Sequence, residues 1–110
     1  MNPLTFYDLQ NYLTLKYKER LTSTDLFMKL VEEVGEVAEA LNQLDGRKKD
    51  SGAASLEKEL VDVIHYAVAI ANINHIDLTK AIIKKDKQAA MKYNQFPNLE
   101  EYLEVKLMGK

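Results

Sequence analysis

Residues 30–44 read LVEEVGEVAEALNQL, with apolar residues recurring every three or four positions. This spacing predicts an amphipathic α-helix. At about 100° per residue, one stripe about 80° wide contains Leu30, Val34, Val37, Leu41 and Leu44. Glu33 lies at the edge of the stripe, and Glu36 lies about 60° further round on the same flank. The predicted helix therefore carries an acid pair beside the face that it turns to the core.

The same arrangement recurs 26 residues later, in the stretch LEKELVDV at 56–63. Here the apolar stripe consists of Leu56, Leu60, Val63, Ala67 and Ile70. Glu59 and Asp62 take the positions that Glu33 and Glu36 hold in the first copy. The sequence thus predicts two helices with matching acid pairs, which bring four carboxylates together if the helices pack antiparallel.

Capping residues and turn signals place these two helices within an all-α chain. We expect Thr5 to cap the first helix, with Asp8 at its third position, and Ser23 or Thr24 to cap the second. Ser55 and Asp77 are the expected N-caps of the third and fourth helices. The predicted helices are Thr5 to about Lys18, Asp25 to about Leu44, Ser55 to about Ile73, Asp77 to about Tyr93, and a short C-terminal helix opened by residues 98–101. Four principal helices with short loops predict one domain over residues 1–110, a small four-helix bundle followed by a short C-terminal helix.

The composition excludes several classes of protein. The 110 residues carry 15 Lys and Arg against 17 Asp and Glu, and a formal net charge of −2 does not suit a basic nucleic-acid binder. The absence of Cys excludes a disulfide framework and thiolate metal sites. The N-terminal residues lack a signal-peptide pattern, and no run of about 18 apolar residues is present to span a membrane. We therefore expect a cytoplasmic protein with neither nucleic-acid nor membrane partners.

Carboxylates at the margin of a core need compensation, because desolvation and mutual repulsion both disfavour their charge. A hard divalent cation provides it: Mg²⁺ prefers oxygen ligands and retains waters where a phosphate chain can bind, and Mn²⁺ is the alternative. The competing interpretation is a solvated acidic face held by ion pairs within each helix. A di-iron site is disfavoured, because it needs Glu-x-x-His from two helices and only Asp62-x-x-His65 comes near this pattern.

Two short motifs carry a resemblance to a known family. EEVGE at 32–36, followed after 22 residues by ELVD at 59–62, resembles the EExxE…ExxD signature of the MazG-like all-alpha nucleoside triphosphate pyrophosphohydrolases. The resemblance extends from about Phe6 to Tyr93. It implies Mg²⁺-dependent cleavage of a nucleoside triphosphate to a monophosphate and pyrophosphate, for house-cleaning or control of the nucleotide pool. No phosphate loop of the form GxxxxGK[ST] is present, so basic side chains are expected to contact the phosphates.

The resemblance also implies roles for individual residues. The predicted metal ligands are Glu33, Glu36, Glu59 and Asp62. Glu32 is the candidate catalytic residue, either as the base that orients the attacking water or as an acid behind the ligands. In the fourth helix, Lys85 and Lys92 match the outer positions of the family's substrate-binding set, whereas Ala89 stands where an Asn is expected.

The third helix carries a second apolar arc, about 100° from the first, formed by Val61, Ile64, Val68 and Ala71. Two arcs exceed what one small bundle core buries, so we expect a homodimer or homotetramer. The alternative is a third helix that is buried centrally in a monomer.

Two other functions stay open at the level of sequence. One is the phosphoribosyl-ATP pyrophosphohydrolase of histidine biosynthesis, which has a similar arrangement of acid-bearing helices. The other is a helical interaction module that keeps the acids without catalysis. The intact spacing of all four carboxylates disfavours this second alternative.

Overall fold

The structure is a computed structural model that describes residues 2–17, 21–46 and 55–108. Those residues form five α-helices and no β-strand, which confirms the predicted all-α class. The helices are α1 (Phe6–Lys16), α2 (Ser23–Leu44), α3 (Ser55–Ile73), α4 (Leu78–Lys92) and α5 (Leu99–Met108). None of these described helices is long and apolar enough to cross a lipid bilayer.

Three of the predicted helix starts are confirmed by capping hydrogen bonds. Before α1, the Asp8 amide donates to Thr5 Oγ1 (3.0 Å) and the Thr5 amide donates to Asp8 Oδ2 (3.3 Å), which forms a reciprocal capping box. Before α4, the Lys80 amide donates to Asp77 Oδ1 at 3.1 Å. The side chain of Asn98 caps α5 in the same way. Local capping chemistry therefore sets these boundaries.

The start of α2 differs from the prediction. We expected Ser23 or Thr24 as the N-cap, but the cap is Thr22, whose Oγ1 accepts from the Asp25 amide at 3.0 Å. The physical reason is the capping box, since the Asp25 carboxylate also accepts from the Thr22 amide at 3.4 Å. Neither rejected candidate has an acid three positions later. The third helix likewise begins at Ser55 itself rather than after it.

The chain divides into two compact units, Met1–His75 and Ile76–Lys110. In the first unit, α3 packs against both α1 and α2. The buried apolar residues of this unit are Leu13, Leu26, Ala40, Val68, Ala69 and Ala71. In the second unit, α4 contacts α5, and the Leu99 amide at the start of α5 donates to Asp86 Oδ2 at 2.6 Å.

The helices α2 and α3 run antiparallel, as the convergence of their acids requires. Asn74, just after α3, donates from Nδ2 to Ser23 Oγ at the start of α2 (2.9 Å). Further along α2, Glu33 meets Glu59, which lies near the start of α3. Residues later in α2 are therefore paired with residues earlier in α3.

The buried face of α2 is rotated from the predicted stripe. Leu26 and Ala40 are 3% and 2% exposed, whereas Leu41 and Leu44 are 46% and 56% exposed. Leu26, Glu33 and Ala40 are spaced at seven residues, about two turns, so they lie on one line along the helix. The helix packs through its acid-bearing flank, and Glu33 lies within the buried face rather than at its edge.

The second apolar arc of α3 is divided between core and surface. Val68 and Ala71 are buried, whereas Val61 and Ile64 are 59% and 48% exposed. Of the four residues from which we predicted an oligomer, only Val61 and Ile64 are therefore left for a partner to cover.

Polar side-chain contacts join α1 to α3. Gln10 Nε2 donates to Asn72 Oδ1 (2.9 Å), and Asn72 Nδ2 donates to the Gln10 carbonyl oxygen (2.9 Å). Near the end of α1, the Tyr17 hydroxyl hydrogen-bonds His65 Nε2. His65 is half-buried in this contact, as expected for a packed histidine.

The capping assignment leads to a stability prediction. Replacing Thr22 with Ala removes the acceptor of the Asp25 amide, so we expect a loss of about 1 kcal/mol in the free energy of unfolding. The matched control is Thr24→Ala, which removes the same group two residues later inside the first turn. Urea denaturation of both variants measures the difference. An equal loss in the two would contradict the assignment of Thr22 as the cap.

Candidate metal centre

Three carboxylates converge where the middle of α2 meets the start of α3. Glu33 comes from α2, and Glu59 and Asp62 come from α3. Each offers one oxygen, and these oxygens all lie within 4.8 Å of one another. Glu59 is only 5% exposed, and the other two are half-buried. We call these three residues the carboxylate cluster.

Two oxygens of the carboxylate cluster lack a hydrogen-bond donor. Glu33 Oε2 and Glu59 Oε2 are both buried, and neither accepts a hydrogen bond. Burying a charged oxygen without a partner is strongly unfavourable. A hard divalent cation corrects this defect, because Mg²⁺ and Mn²⁺ bind carboxylate oxygens. The donor set and its two unpaired oxygens therefore fit a divalent cation.

The repulsion in the carboxylate cluster shifts the pKa values of its members. A hydrogen bond to Glu59, burial and the neighbouring negative charges together raise the pKa of Glu33 to about 7. Hydrogen bonds from Glu36 and Glu33 lower the pKa of Glu59. In the absence of a cation, Glu33 therefore keeps its proton to a higher pH than an ordinary glutamate and is half-protonated at about pH 7.

Glu36 lies beside the carboxylate cluster but is not one of its three members. Its side chain is exposed, and its closeness to Glu59 raises its pKa through a hydrogen bond and charge repulsion. The structure thus brings together three of the four predicted ligands and places the fourth next to them. The role of Glu36 as a ligand stays a prediction.

The candidate base Glu32 is exposed and paired with a lysine of its own helix. Lys29 Nζ lies 3.7 Å from Glu32 Oε2, and the two side chains are 59% and 62% exposed. This pair leaves the carboxylate of Glu32 open to water. Its role in catalysis stays a prediction.

The two predicted substrate-binding lysines lie on α4, in the second unit. Lys85 and Lys92 are both exposed. Lys92 Nζ lies 5.3 Å from the centroid of the Tyr93 ring, within the range of a cation–π contact. Their contact with phosphate stays a prediction.

Lys58 is the residue of this site that the sequence reasoning missed. Its Nζ lies 2.9 Å from Asp62 Oδ2 and 3.6 Å from Glu59 Oε1. The hydrogen bond to Lys58 lowers the pKa of Asp62. The available signal was the spacing of a lysine four residues before an aspartate on one helix, which brings the two side chains together.

The fold and the carboxylate cluster define an all-α protein with a site suited to a divalent cation. Residues 21–92, more than half of the chain, match the family model described as the MazG nucleotide pyrophosphohydrolase domain. The chain therefore belongs to the MazG family of nucleotide pyrophosphohydrolases.

A curated relative gives a second comparison. The chain is 39% identical over 67 residues to dCTP pyrophosphatase 1 of Rattus norvegicus. The matched segment covers 56% of this chain and 39% of the rat protein, so the match spans about two fifths of the relative's length. No solved structure matches the chain.

The raised pKa of Glu33 predicts how pH changes stability in metal-free protein. Between about pH 4.3, the ordinary value for Glu, and pH 7, folded Glu33 holds a proton that the unfolded chain has lost. Its contribution to stability therefore falls as pH rises through this window and is constant above it. We expect Glu33→Gln to gain stability relative to the wild type as pH rises from 5 to about 7.

This difference is measured by thermal melting in EDTA at several pH values. Burial lowers the pKa of His65, so that His65 makes stability rise with pH. This effect is present in both the wild type and Glu33→Gln, and it cancels when their melting temperatures are subtracted. Glu57→Gln, exposed on the first turn of α3, is the matched control. If the difference in melting temperature between Glu33→Gln and the wild type stays the same from pH 5 to pH 8, the pKa of Glu33 is not raised.

Proposed function

We propose that this protein is a Mg²⁺-dependent nucleoside triphosphate pyrophosphohydrolase, which cleaves an NTP or dNTP to the monophosphate and pyrophosphate. The observation that carries the proposal is the convergence of the Glu33, Glu59 and Asp62 oxygens within 4.8 Å in a chain of the MazG family. The rat relative's name, a dCTP pyrophosphatase, supports the same reaction class. Mn²⁺ is the alternative cation.

The carboxylate cluster would hold the cation, with Glu36 as the fourth ligand. When bound, Mg²⁺ offsets the negative charge of the phosphate oxygens and helps to position water for attack. The cluster contributes negative charge and two oxygens that lack a donor, Glu33 Oε2 and Glu59 Oε2. Binding a cation at these oxygens requires Glu33 to give up any proton that it carries.

Other residues of the chain would orient the reactants. We assign Glu32 to the attacking water, because its exposed carboxylate retains free lone pairs beside the weak contact with Lys29. We assign phosphate contacts to Lys85 and Lys92, whose exposed ammonium groups suit a polyanion. None of these roles needs a protein nucleophile, since water attacks the phosphorus directly.

We also propose that the protein forms a homodimer or homotetramer. Apolar side chains of α2 and α3 are about half-exposed in the single chain, namely Val34, Leu41, Leu44, Leu60, Val61 and Ile64. A second copy that covers them would remove this apolar surface from water.

A substrate panel tests the reaction. Canonical and modified NTPs and dNTPs are incubated with Mg²⁺, and pyrophosphate and orthophosphate are assayed separately. We expect pyrophosphate and a nucleoside monophosphate as the first products. Phosphoribosyl-ATP belongs in the panel, because its preferred turnover would favour the alternative enzyme. Absence of turnover on every triphosphate, together with absence of Mg²⁺ binding by calorimetry, would leave only the interaction module.

Asp62→Asn tests the ligand set. Removing this charge should weaken Mg²⁺ binding and lower kcat/KM by more than the roughly 10- to 100-fold that loss of an outer-shell partner costs. Calorimetry and steady-state kinetics measure the two effects, and circular dichroism checks that the helices remain. Glu57→Gln is again the matched control, because it removes one carboxylate of α3 outside the cluster. If Asp62→Asn retains wild-type Mg²⁺ affinity, Asp62 is not a ligand.

A further inference from the structure

Lys58 places a positive charge on the outer side of the carboxylate cluster. Its ammonium lies 2.9 Å from Asp62 Oδ2 and 3.6 Å from Glu59 Oε1. A hydrogen bond of this length between charged groups is short and directional. The second contact, at 3.6 Å, adds attraction to the same ammonium without a comparable bond. Lys58 thus partly neutralises two of the three carboxylates.

The neutralisation by Lys58 is incomplete. The lysine reaches Glu59 Oε1, whereas Glu59 Oε2 and Glu33 Oε2 remain buried without a donor. One ammonium also offers a single charge to three acids. The inner oxygens therefore still favour a cation. Asp62, which would supply one of its oxygens to that cation, is bonded to Lys58 through Oδ2.

The two ends of this ion pair differ in their freedom to move. The Lys58 side chain is 71% exposed, whereas the side chains of Glu59 and Asp62 are 7% and 30% exposed. Four rotatable bonds allow the lysine to leave the cluster without disturbing the packing of either helix. When it leaves Asp62, its ammonium remains tethered beside the site, on the side that faces water.

We propose that Lys58 is the built-in counter-ion of the carboxylate cluster, which yields Asp62 to the divalent cation and then binds a phosphate oxygen of the substrate. Before the cation binds, Lys58 stabilises the cluster. After it binds, the ammonium is free for an incoming polyanion. Binding of a substrate phosphate by Lys58 rests on the proposed function, whereas competition between Lys58 and the cation for Asp62 does not.

Lys58→Gln is predicted to change two affinities in opposite directions. Removing the competitor should tighten Mg²⁺ or Mn²⁺ binding about 2- to 5-fold without nucleotide, the range that an exposed ion pair accounts for. Removing the ammonium should weaken binding of inorganic tripolyphosphate at saturating Mg²⁺ by at least about 5-fold. Calorimetry measures both values.

Thermal melting gives a third readout that needs no substrate. Metal-free Lys58→Gln should melt below the wild type, because the cluster loses its counter-ion. Saturating Mg²⁺ should close that gap, since a ligand that binds the folded state more tightly stabilises it more. The charge-conserving variant Lys58→Arg should keep the wild-type melting temperature without metal, and this separates lost charge from lost packing.

Lys29→Gln is the matched control, because it removes one lysine of similar exposure that pairs with Glu32 outside the cluster. The proposal predicts wild-type affinities for this variant. If Lys29→Gln and Lys58→Gln change the affinities for the cation and for tripolyphosphate equally, the effect is one of net charge and the proposal is wrong. Unchanged or weaker cation binding in Lys58→Gln would also overturn it, as would unchanged tripolyphosphate binding.

The outcome for Lys58 is separable from the outcome for the reaction. If the three shifts occur but no nucleotide is hydrolysed, the counter-ion role stands and the proposed function fails. If nucleotides are hydrolysed and the shifts are absent, the proposed function stands and Lys58 is an ordinary surface lysine. Neither result depends on the other measurement.

Discussion

The packing of α2 on α3 places like charges inside the face that joins the two helices. Glu33 stands two turns from both Leu26 and Ala40, which are buried, and Glu59 of α3 is 5% exposed beside it. The apolar contacts hold the helices together, whereas the carboxylates oppose the packing because they lose water and repel each other. Positive charge must therefore be supplied to this face. The properties of the site follow from that requirement.

The chain supplies part of that charge itself. A proton on Glu33 reduces the repulsion within the cluster. The hydrogen bond with Glu59, burial and the neighbouring negative charges raise the pKa of Glu33 to about 7. The ammonium of Lys58 provides charge at Asp62 from the outer side. Glu33 Oε2 and Glu59 Oε2 nevertheless accept no hydrogen bond, and a buried oxygen without a partner is destabilising. A divalent cation answers the same need more completely, because it accepts several oxygen ligands at once.

Local signals in the sequence were sufficient for much of this structure. Capping chemistry predicted the starts of α1, α4 and α5, since a cap depends on residues only three positions apart. The repeated acid spacing predicted that Glu33, Glu59 and Asp62 would meet. Helical periodicity did not predict which flank of α2 would be buried, because a stripe of apolar residues leaves the rotation of a helix against its neighbour undetermined. It also could not divide the second arc of α3, since periodicity does not say which turns of one helix face a neighbour covers.

The contact of Lys58 with Asp62 has an ordinary spacing in the sequence but an unusual position in the structure. On a helix surface, a lysine four residues before an aspartate is a common ion pair that contributes little. Here the aspartate belongs to a buried group of acids, so the contact concerns a site and not only a helix. A proton, an ammonium and a divalent cation all act on the same few oxygens, and each one therefore weakens the hold of the others. The oxygens of the cluster would favour cation binding, whereas the proton of Glu33 and the ammonium of Lys58 would compete with it. The observed affinity for a cation would be the balance of these effects. If Lys58 is released by the cation, its ammonium would lie at the rim of the cluster, where it could bind a phosphate of the proposed substrate.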